Sequence, residues 1–575
     1  MPLLTPMRYE LRLVNTESGT GVCACLPPEG FGLSEAVLYL KDHPLDDFMH
    51  KYALDEVGKL ELPQAKELLA KAEQDGNAAF LSVFFEASLV HEKFAAFRNF
   101  FESNAAQSLR SQTPLVSIIS SALSDQELHR QWTELFRTNI QEHKPLPGPK
   151  ATGLDIPFKE EDLERVRDSW VSLFDARAGQ GKGSGGGKEK PVPLEQTVRR
   201  AERALEAAGV VLGPQVRHQA CLSPVGLLRP WRVSVSVKNR RLDYTLSGDQ
   251  TSYGRGLEFD QAWAALLMEI VERWSSWASF DGLDVPGYAA GHCLVRAGYS
   301  ELHKKGVAAL DPNEMRLEVP YQGDSLYWIE AQTPGDGAMR SVLVPAQCVF
   351  SFCNLDERDL FSGVGSTGLA AGNTVEQARA SGLLEVLERD AVAVSPYSPD
   401  KCFRIQARDK TLSALLEKYG QKGVDVFFQD VTTEFGIPCY KAFVIGPEGQ
   451  IIMGAAARLN GRKALVSALT ETPYPYPFGP KSRFGPQGLP VRIFEDLPDY
   501  STGSHPGDLK LIERTLLLND LRPLYVDLTR SDLKIPVVRA MIPGLELMAD
   551  FDCFSRVSRR LFANYVKIFS GNKNP

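Results

Sequence analysis

Two stretches of the sequence repeat one pattern of charge: "LLMEIVERW" at 266–274 and "GLLEVLERD" at 382–390. Each contains a glutamate, two apolar residues, a second glutamate and an arginine, and each lies in a longer helical pattern, over 259–280 and over 375–394. On an α-helix, residues three and four positions apart share a face. The residues that the pattern places together are Glu269, Glu272 and Arg273 in the first copy, and Glu385, Glu388 and Arg389 in the second.

The residues around both triplets are mostly apolar, so both helices are expected to be largely buried. A buried carboxylate is costly unless it is paired or bound to a metal, and two arginines cannot neutralise four glutamates. If the helices face each other, the glutamates form an acidic cleft suited to Mg²⁺ and a nucleotide polyphosphate. The alternative is a set of structural ion pairs worth about 0.3–0.5 kcal/mol each. The residues alone leave both interpretations open.

A glycine-rich segment, "SGVGSTGLAAGNT" at 362–374, precedes the second triplet. Small residues let backbone N–H groups approach a ligand, and Asn373 with Thr374 can cap the helix that follows. The segment is not a P-loop, because no Gly-Lys-Ser/Thr follows it. A tight turn would use the same residues, so the segment by itself does not decide between a ligand site and a turn.

One low-complexity segment, "ARAGQGKGSGGGKEKPVP" at 176–193, divides the chain. Its glycine and lysine residues cannot form a core and lose much entropy on ordering, which predicts a flexible linker over 177–191. Helical spacing before it predicts a mainly helical N-terminal domain over 1–176, a candidate for partner docking. Helical and strand-like patterns mix after it and predict a mixed α/β domain over 192–575.

The bulk composition excludes several classes of function. The net charge of −8 provides no broad basic surface for nucleic acid. No apolar run approaches the ~18 residues that span a bilayer, and the first residues lack the features of a signal peptide. The cysteines are scattered without zinc-site spacing, so we expect a cytoplasmic protein with reduced thiols and no membrane or nucleic-acid partner.

Four motifs together resemble the YcaO domain family, over roughly 195–560 but not over 1–176. The third of them lies in a predicted helix over 462–471. The motifs are "AALLMEIVERW" at 264–274, "STGLAAGNTVEQARASGLLEVLERDAV" at 366–392, "ALVSALTE" at 464–471 and "DLTRSDLKIPVVRAMIPGLE" at 527–546.

The resemblance implies a mixed α/β fold with a non-P-loop ATP site, in which paired glutamates hold Mg²⁺. The motifs assign no catalytic residue. By position in the motifs, the metal-binding residues would be Glu269, Glu272, Glu385 and Glu388. The residues that would complete the nucleotide site, by orienting those carboxylates or contacting the nucleotide, are Arg273, Asn373, Gln377, Arg389 and Glu471.

The activity that the resemblance implies is activation of a peptide-bond amide. A nucleophile adds to the carbonyl carbon, the resulting oxyanion attacks the γ-phosphate of ATP, and phosphate then leaves. The product is an azoline, a thioamide or an amidine, and other members assist methylthiolation of a ribosomal protein. The implied partners are a peptide or protein substrate, a sulfur-delivery or methylthiolating protein, and a second copy of the chain in a homodimer.

Three positions depart from the family pattern. Ala265 replaces a usual serine, Gln377 replaces a glutamate, and Ser467 replaces an arginine. Gln377 keeps a hydrogen-bonding group but no charge. The loss of a cation at Ser467 makes Lys463, one turn back on the same face and beside Arg462, a candidate replacement. The departures leave the predicted metal ligands intact but predict a weakened or specialised ATP site.

Two alternatives to an ATP-dependent enzyme stay open. A non-catalytic relative would present a peptide and recruit a partner enzyme through the helical domain. A hydrolase would use the paired glutamates as acid and base, but it explains neither the arginines nor the glycine-rich segment. The proline-rich segment at 472–486 is internal, whereas azoline-forming members often end in such a segment. This favours thioamidation or an accessory role, with the segment as a candidate border of a peptide groove.

Overall fold

The chain folds into a mixed α/β structure, as the sequence predicts. The computed structural model describes residues 6–15, 21–101, 109, 113–121, 123–159, 161, 163, 170–178, 190, 192–335, 337–363, 365–547, 551 and 555–570. Within the predicted linker, 179–189 and 191 lie outside the described residues. Every helix in the described part of the chain is too short or too polar to cross a membrane.

The strands occur throughout the described chain. They are β1 Met7–Asn15, β2 Gly21–Leu26, β3 Val216–Arg217, β4 Val225–Asn239, β5 Leu242–Gly256, β6 Phe280–Asp281, β7 Asp284–Val285, β8 His292–Cys293, β9 Val295–Ala297, β10 Leu326–Pro334, β11 Met339–Pro345, β12 Leu369–Ala371, β13 Cys402–Gln406, β14 Phe427–Asp430, β15 Cys439–Ile445, β16 Ile451–Ala457, β17 Val491–Ile493, β18 Leu524–Asp527 and β19 Val537–Met541.

The helices cluster before the linker and alternate with strands after it. They are α1 Leu33–Asp42, α2 Asp47–Lys59, α3 Leu62–Gln74, α4 Ala78–Val90, α5 Arg98–Phe101, α6 Val116–Ser121, α7 Gln126–Glu142, α8 Leu173–Ala178, α9 Leu194–Ala207, α10 Phe259–Ser276, α11 Tyr299–Lys304, α12 Val375–Val394, α13 Lys410–Gln421, α14 Gly461–Glu471, α15 His505–Leu517 and α16 Arg559–Ser570.

The largest sheet combines strands from both sides of the linker. Its strand order is β2-β1-β5-β4-β6-β7-β8, with β3 paired to β4. Strand β1 runs parallel to β5, with Met7 opposite Tyr244. One apolar core continues from helices α1–α4 into α10 and the strands beneath it. The predicted division into domains at the linker stays a prediction, and the described contacts across it include both hydrogen bonds and core packing.

Two smaller sheets complete the fold. One has the order β11-β10-β18-β19-β12, with β9 paired to β10, and the other has the order β16-β15-β14-β13-β17. The C-terminal helix α16 shares an apolar cluster with α7 from the N-terminal part of the chain. Helices α10, α12 and α14 each pack against a different sheet, and we call them the first, second and third glutamate helices.

The glutamate helices agree closely with the helices predicted from the sequence. The second covers the predicted range 375–394, and the third begins one residue earlier than predicted. The first ends at Ser276 instead of residue 280, because Phe280 enters β6 and pairs with Val237 of β4.

Glycines allow two of these helices to lie directly on a strand. A Cβ on Gly254 of β5 would lie 2.0 Å from the carbonyl oxygen of Ala262, in the first glutamate helix. A Cβ on Gly454 of β16 would lie 2.4 Å from the carbonyl oxygen of Ala468, in the third. Any larger side chain would therefore push these helices away from the strands that support them.

Candidate functional site

Three helices from different parts of the chain direct five glutamates into one cluster. The first glutamate helix supplies Glu269 and Glu272, the second supplies Glu385 and Glu388, and the third ends at Glu471. The negative charge of Glu471 raises the pKa of Glu269 and of both glutamates of the second helix. The charge of Glu385 acts in turn on Glu272. The five predicted acidic residues are therefore electrostatic neighbours, and the two repeated triplets lie close enough for their charges to act on each other.

Backbone donors at strand ends orient two of these carboxylates. The N–H of Tyr253, near the end of β5, donates to Glu269 Oε1 at 3.3 Å. The N–H of Ala457, the last residue of β16, donates to Glu388 Oε2 at 3.2 Å. Each strand is followed directly by a glutamate helix. The short turn between them therefore fixes the position of the helix and also places a backbone donor beside the cluster. Such bonds hold the carboxylates in place without neutralising them.

Burial raises the pKa of every carboxyl in the cluster. The pKa of Glu272 rises to about 8, because burial and the nearby charges of Glu385 and Glu269 outweigh the attraction of Arg273. The pKa of Glu388 also rises to about 8, from burial and from the charge of Glu471. The same cause raises the pKa of the remaining three glutamates. The surroundings of the cluster therefore do not stabilise all five glutamates in their ionised form.

Five arginines surround the glutamates but do not hydrogen-bond to them within the described residues. The closest approach joins Arg273 Nη1 to Glu272 Oε1 at 3.5 Å. Glu388 lies 3.8 Å from Arg389 and 4.0 Å from Arg458. The arginines whose charges act on the cluster are Arg255, Arg273, Arg389, Arg458 and Arg539.

This separation leaves both kinds of group able to bind a ligand. Carboxylate oxygens suit a hard cation such as Mg²⁺, and guanidinium groups suit phosphate. Among the described residues, no three His, Cys, Asp or Glu side chains are grouped closely enough to hold a metal ion by themselves. Mg²⁺ usually takes only one or two carboxylates and completes its shell with water and phosphate oxygens. The residues thus fit Mg²⁺ that arrives with a polyphosphate better than Mg²⁺ alone.

Asn373 and Gln377 hold the end of the glycine-rich segment. Thr374 caps the second glutamate helix by accepting from the N–H of Gln377 at 3.2 Å. The N–H of Asn373 donates to Gln377 Oε1 at 2.8 Å, and the Asn373 amide bonds to Thr197 of α9 at 3.1 Å. A glutamate at 377 could accept the same bond, so this departure from the family pattern preserves the loop. The predicted contact of both residues with a nucleotide stays a prediction.

The other departures lie about one helical turn before Glu269 and Glu471. Ala265 is exposed on the first glutamate helix, and Ser467 is half-buried on the third. Lys463 is exposed near the start of the third helix, whereas Glu471 is its last residue. Arg462 already pairs with an aspartate at 3.4 Å. The predicted replacement of the lost cation by Lys463 therefore has little support from the side-chain positions.

Sequence reasoning missed three of the five arginines. Arg458 directly follows β16, and the charges acting on Glu471 include those of Arg458, Arg255 and Arg389. Arg255 lies near the end of β5, and Arg539 is a buried charge in the middle of the apolar strand β19. A lone charged residue in such a strand requires a polar partner, and this signal was present in "IPVVRAMIPG" at 535–544.

Acidic and basic groups with this spacing suit a ligand that carries phosphate together with a divalent cation. Residues 253–473 match the family model of the YcaO cyclodehydratases, described as ATP- and Mg²⁺-binding. The resemblance inferred from the sequence is confirmed over these residues. The predicted cofactors, ATP and Mg²⁺, are those that the family description names.

Two similar proteins are themselves uncharacterized. One, from Methanothermobacter thermautotrophicus, is 29% identical over 353 residues, which cover 54% of this chain and 84% of the relative. The other lies in the tfuA 3′ region of Rhizobium leguminosarum bv. trifolii and is 27% identical over 236 residues, covering 39% of this chain and 52% of the relative.

Solved structures of low sequence identity align with part of the chain. A heterocyclase in complex with substrate and cofactor aligns with a TM-score of 0.47 and 19% identity, covering 64% of this chain and 54% of the heterocyclase. The YcaO protein from Methanopyrus kandleri, bound with AMPPCP and Mg²⁺, aligns with a TM-score of 0.44 and 20% identity, covering 62% of this chain and 93% of that protein. The chain spans about half the length of the heterocyclase.

Proposed function

We propose that this chain binds ATP with Mg²⁺ at the glutamate cluster and activates a backbone amide of a peptide or protein by O-phosphorylation. The observation that supports the proposal most strongly is the loose pairing of the cluster. Five buried or half-buried glutamates and five arginines share one region, yet their closest approach is 3.5 Å. Structural ion pairs would close to hydrogen-bonding distance.

The proposal gives each group of residues a task. Glu269, Glu272, Glu385 and Glu388 would hold the metal, and ATP would supply the phosphoryl group. The arginines would neutralise phosphate charge, which is the main requirement of phosphoryl transfer. Tyr253 and Ala457 would keep the carboxylates oriented through their N–H groups.

A peptide could approach along the proline-rich segment that follows Glu471. Tyr474 anchors this segment through a hydrogen bond from its hydroxyl to the carbonyl of Pro480 at 2.8 Å. Phe478 and Phe484 are 78% and 82% exposed. Exposed aromatic rings on an anchored segment suit recognition of an extended chain. We therefore propose this segment as one border of the peptide site.

The proposed product class follows the nucleophile, which a partner or the substrate itself would supply. Cyclodehydration, thioamidation and assistance to methylthiolation of a ribosomal protein share the same activated amide. A sulfur-delivery or methylthiolating protein is accordingly the proposed partner, and a homodimer the proposed assembly.

Calorimetry with AMPPCP tests the nucleotide assignment directly. We expect binding that requires Mg²⁺ in the full chain and is lost in Glu385→Gln. Glu434→Gln is a matched control, because Glu434 pairs with Arg560 outside the cluster. Absence of binding in all three proteins would remove the proposal.

A second candidate function is a non-catalytic scaffold that presents a peptide to a partner enzyme. Gln377 and Ser467 are uncharged at positions where the family usually has charged residues, and this favours the scaffold. Measuring ADP release with a substrate peptide separates the two: the scaffold binds peptide without ADP release, and the enzyme releases ADP only when peptide is present. Identification of such a peptide requires pull-down with the full chain.

A further inference from the structure

Arg539 is a buried cation with an unused donor beside the glutamate cluster. It lies in the middle of β19 with 1% of its surface exposed, between apolar neighbours that are also buried. Its Nε donates to the carbonyl of Cys348 at 3.0 Å. Its Nη2 donates to the carbonyl of Gly365 at 3.1 Å, in the glycine-rich segment. Its Nη1 is buried and has no hydrogen-bond partner among the residues that the structure describes.

The two carbonyl contacts fix the direction of the free group. A guanidinium is planar, so bonds from Nε and Nη2 on one edge determine where Nη1 points. The charges that act on Arg539 from the cluster are those of Glu385, Arg273 and Glu272. No ion pair within 4.0 Å joins Arg539 to a carboxylate among the described residues. Strand β19 packs against the second glutamate helix, so the unpaired donor lies on a strand that supports the cluster and forms no ion pair with it.

An unpartnered, charged donor in the interior is costly unless a ligand completes it. Burial lowers the pKa of Arg539 to about 10, so the side chain stays charged at neutral pH. The nearby carboxylates would bind a metal ion, and the guanidinium would bind the oxyanion that accompanies the metal ion. Because Arg539 also bonds to Gly365, a ligand bound to Nη1 would be connected through this side chain to the glycine-rich segment.

We propose that Arg539 is a phosphate-binding residue, whose Nη1 donates to a phosphoryl oxygen of the ligand held by the glutamate cluster. This inference rests on the proposed function, because it assumes that the cluster binds a phosphate-bearing ligand. It assigns the phosphate contact to β19 instead of to the third glutamate helix, where Ser467 has lost the usual cation. The competing explanation is that Arg539 only offsets the charge of Glu385 and Glu272.

The test uses the full chain with Arg539→Met, Arg539→Lys and a control, Arg241→Met. Arg241 forms a bidentate pair with buried Asp356, so the control leaves a buried carboxylate without its arginine outside the cluster. Calorimetry measures AMPPCP affinity with Mg²⁺, and thermal melting measures stabilisation by Mg²⁺ with inorganic phosphate. We expect Arg539→Met to weaken AMPPCP binding about 10- to 100-fold and to abolish stabilisation by phosphate. Arg539→Lys should recover part of both, and Arg241→Met should change neither.

Two outcomes overturn the inference, and a third supports it while overturning the ATP assignment. If Arg539→Met melts at a lower temperature but binds AMPPCP within about twofold of the unmodified chain, the residue is structural. If phosphate fails to stabilise the unmodified chain and AMPPCP affinity does not depend on Arg539, no phosphate contact exists there. If AMPPCP does not bind at all but phosphate stabilises the chain only when Arg539 is present, the anion contact stands and the ATP assignment fails.

Discussion

Glu388 and Asp390 lie two residues apart on the second glutamate helix, yet their surroundings differ completely. Asp390 is fully buried, accepts from Arg560 Nη1 at 2.5 Å and also accepts from the backbone N–H of Glu546 at 2.9 Å. Glu388 is 5% exposed and receives one backbone N–H, from Ala457, while its nearest arginines remain 3.8 and 4.0 Å away.

The difference separates an ion pair that holds the fold from a carboxylate that is available to a ligand. Arg560 bonds to Asp390 and to Glu434, and thereby attaches the C-terminal helix to the second glutamate helix. Within the described chain, no side chain hydrogen-bonds to Glu388 in this way. The same helix thus carries a structural ion pair on one side and the proposed site on the other, and mutations on the two sides should have opposite effects on stability and on ligand binding.

The largest expected effect is on stability, from Asp390→Asn. The variant leaves Arg560 buried with one carboxylate fewer, so we expect a loss of about 3–5 kcal/mol in the free energy of unfolding. Denaturant unfolding measures it. A loss below about 1 kcal/mol would show that the pair contributes little and would remove the contrast with Glu388.

Glu388→Gln should have the opposite effect, because it should weaken ligand binding without lowering stability. The pKa of Glu388 is raised by burial, so an uncharged replacement should leave the free energy of unfolding unchanged or higher. Mg²⁺-dependent AMPPCP affinity should fall more than 100-fold, or about 2.7 kcal/mol, because a metal ligand is lost. Calorimetry and denaturant unfolding on the same preparation give both values. Unchanged affinity together with lowered stability would make Glu388 a structural residue like Asp390.

The pH dependence of stability should sharpen the same contrast. Glu272 and Glu388 keep their protons in the folded chain up to about pH 8, whereas the unfolded chain releases them near 4.5. The folded state therefore binds more protons, and stability should fall as pH rises, by about 2.5 kcal/mol for each group and about 5 kcal/mol for both between pH 6 and 9. Denaturant unfolding across this range measures the fall, which Glu388→Gln should reduce. A stability that rises over this range contradicts the assignment of raised pKa values.

The smallest expected effects concern Arg458 and Lys463, the two candidates for the cation that would replace the arginine that the family usually has at position 467. Arg458→Met should weaken AMPPCP binding about 5- to 10-fold, because its charge acts on Glu388 and Glu471. Lys463→Ala should change affinity by less than about twofold, because Lys463 is exposed at the other end of the helix. The reverse order of effects in calorimetry would restore Lys463 as the substitute.

Local patterns predicted the helices and acidic faces of this site well. The triplets around Glu272 and Glu388 were identifiable because helical spacing and apolar surroundings are both properties of neighbouring residues. The second glutamate helix begins where Thr374 caps it, as the sequence indicated. The fifth glutamate, Glu471, required the family resemblance, because a single acidic residue on a short helix has no distinguishing pattern.

Features that depend on distant residues were not predictable in the same way. The parallel pairing of β1 with β5 joins segments on opposite sides of the linker. Arg255, Arg458 and Arg539 lie on strands or strand ends whose sequences say nothing about which helix faces them. The tight pair between Asp390 and Arg560 spans 170 residues of sequence. Only the packed fold distinguishes it from the loose contacts of Glu388.

Electron paramagnetic resonance of Mn²⁺, used in place of Mg²⁺, tests the central claim most directly. We expect AMPPCP to cause the full chain to bind Mn²⁺. We expect Glu272→Gln and Glu388→Gln, one from each repeated triplet, each to remove the bound signal, while Glu434→Gln retains it. A bound Mn²⁺ signal that survives in both cluster variants would contradict the claim that the glutamate helices hold the metal jointly.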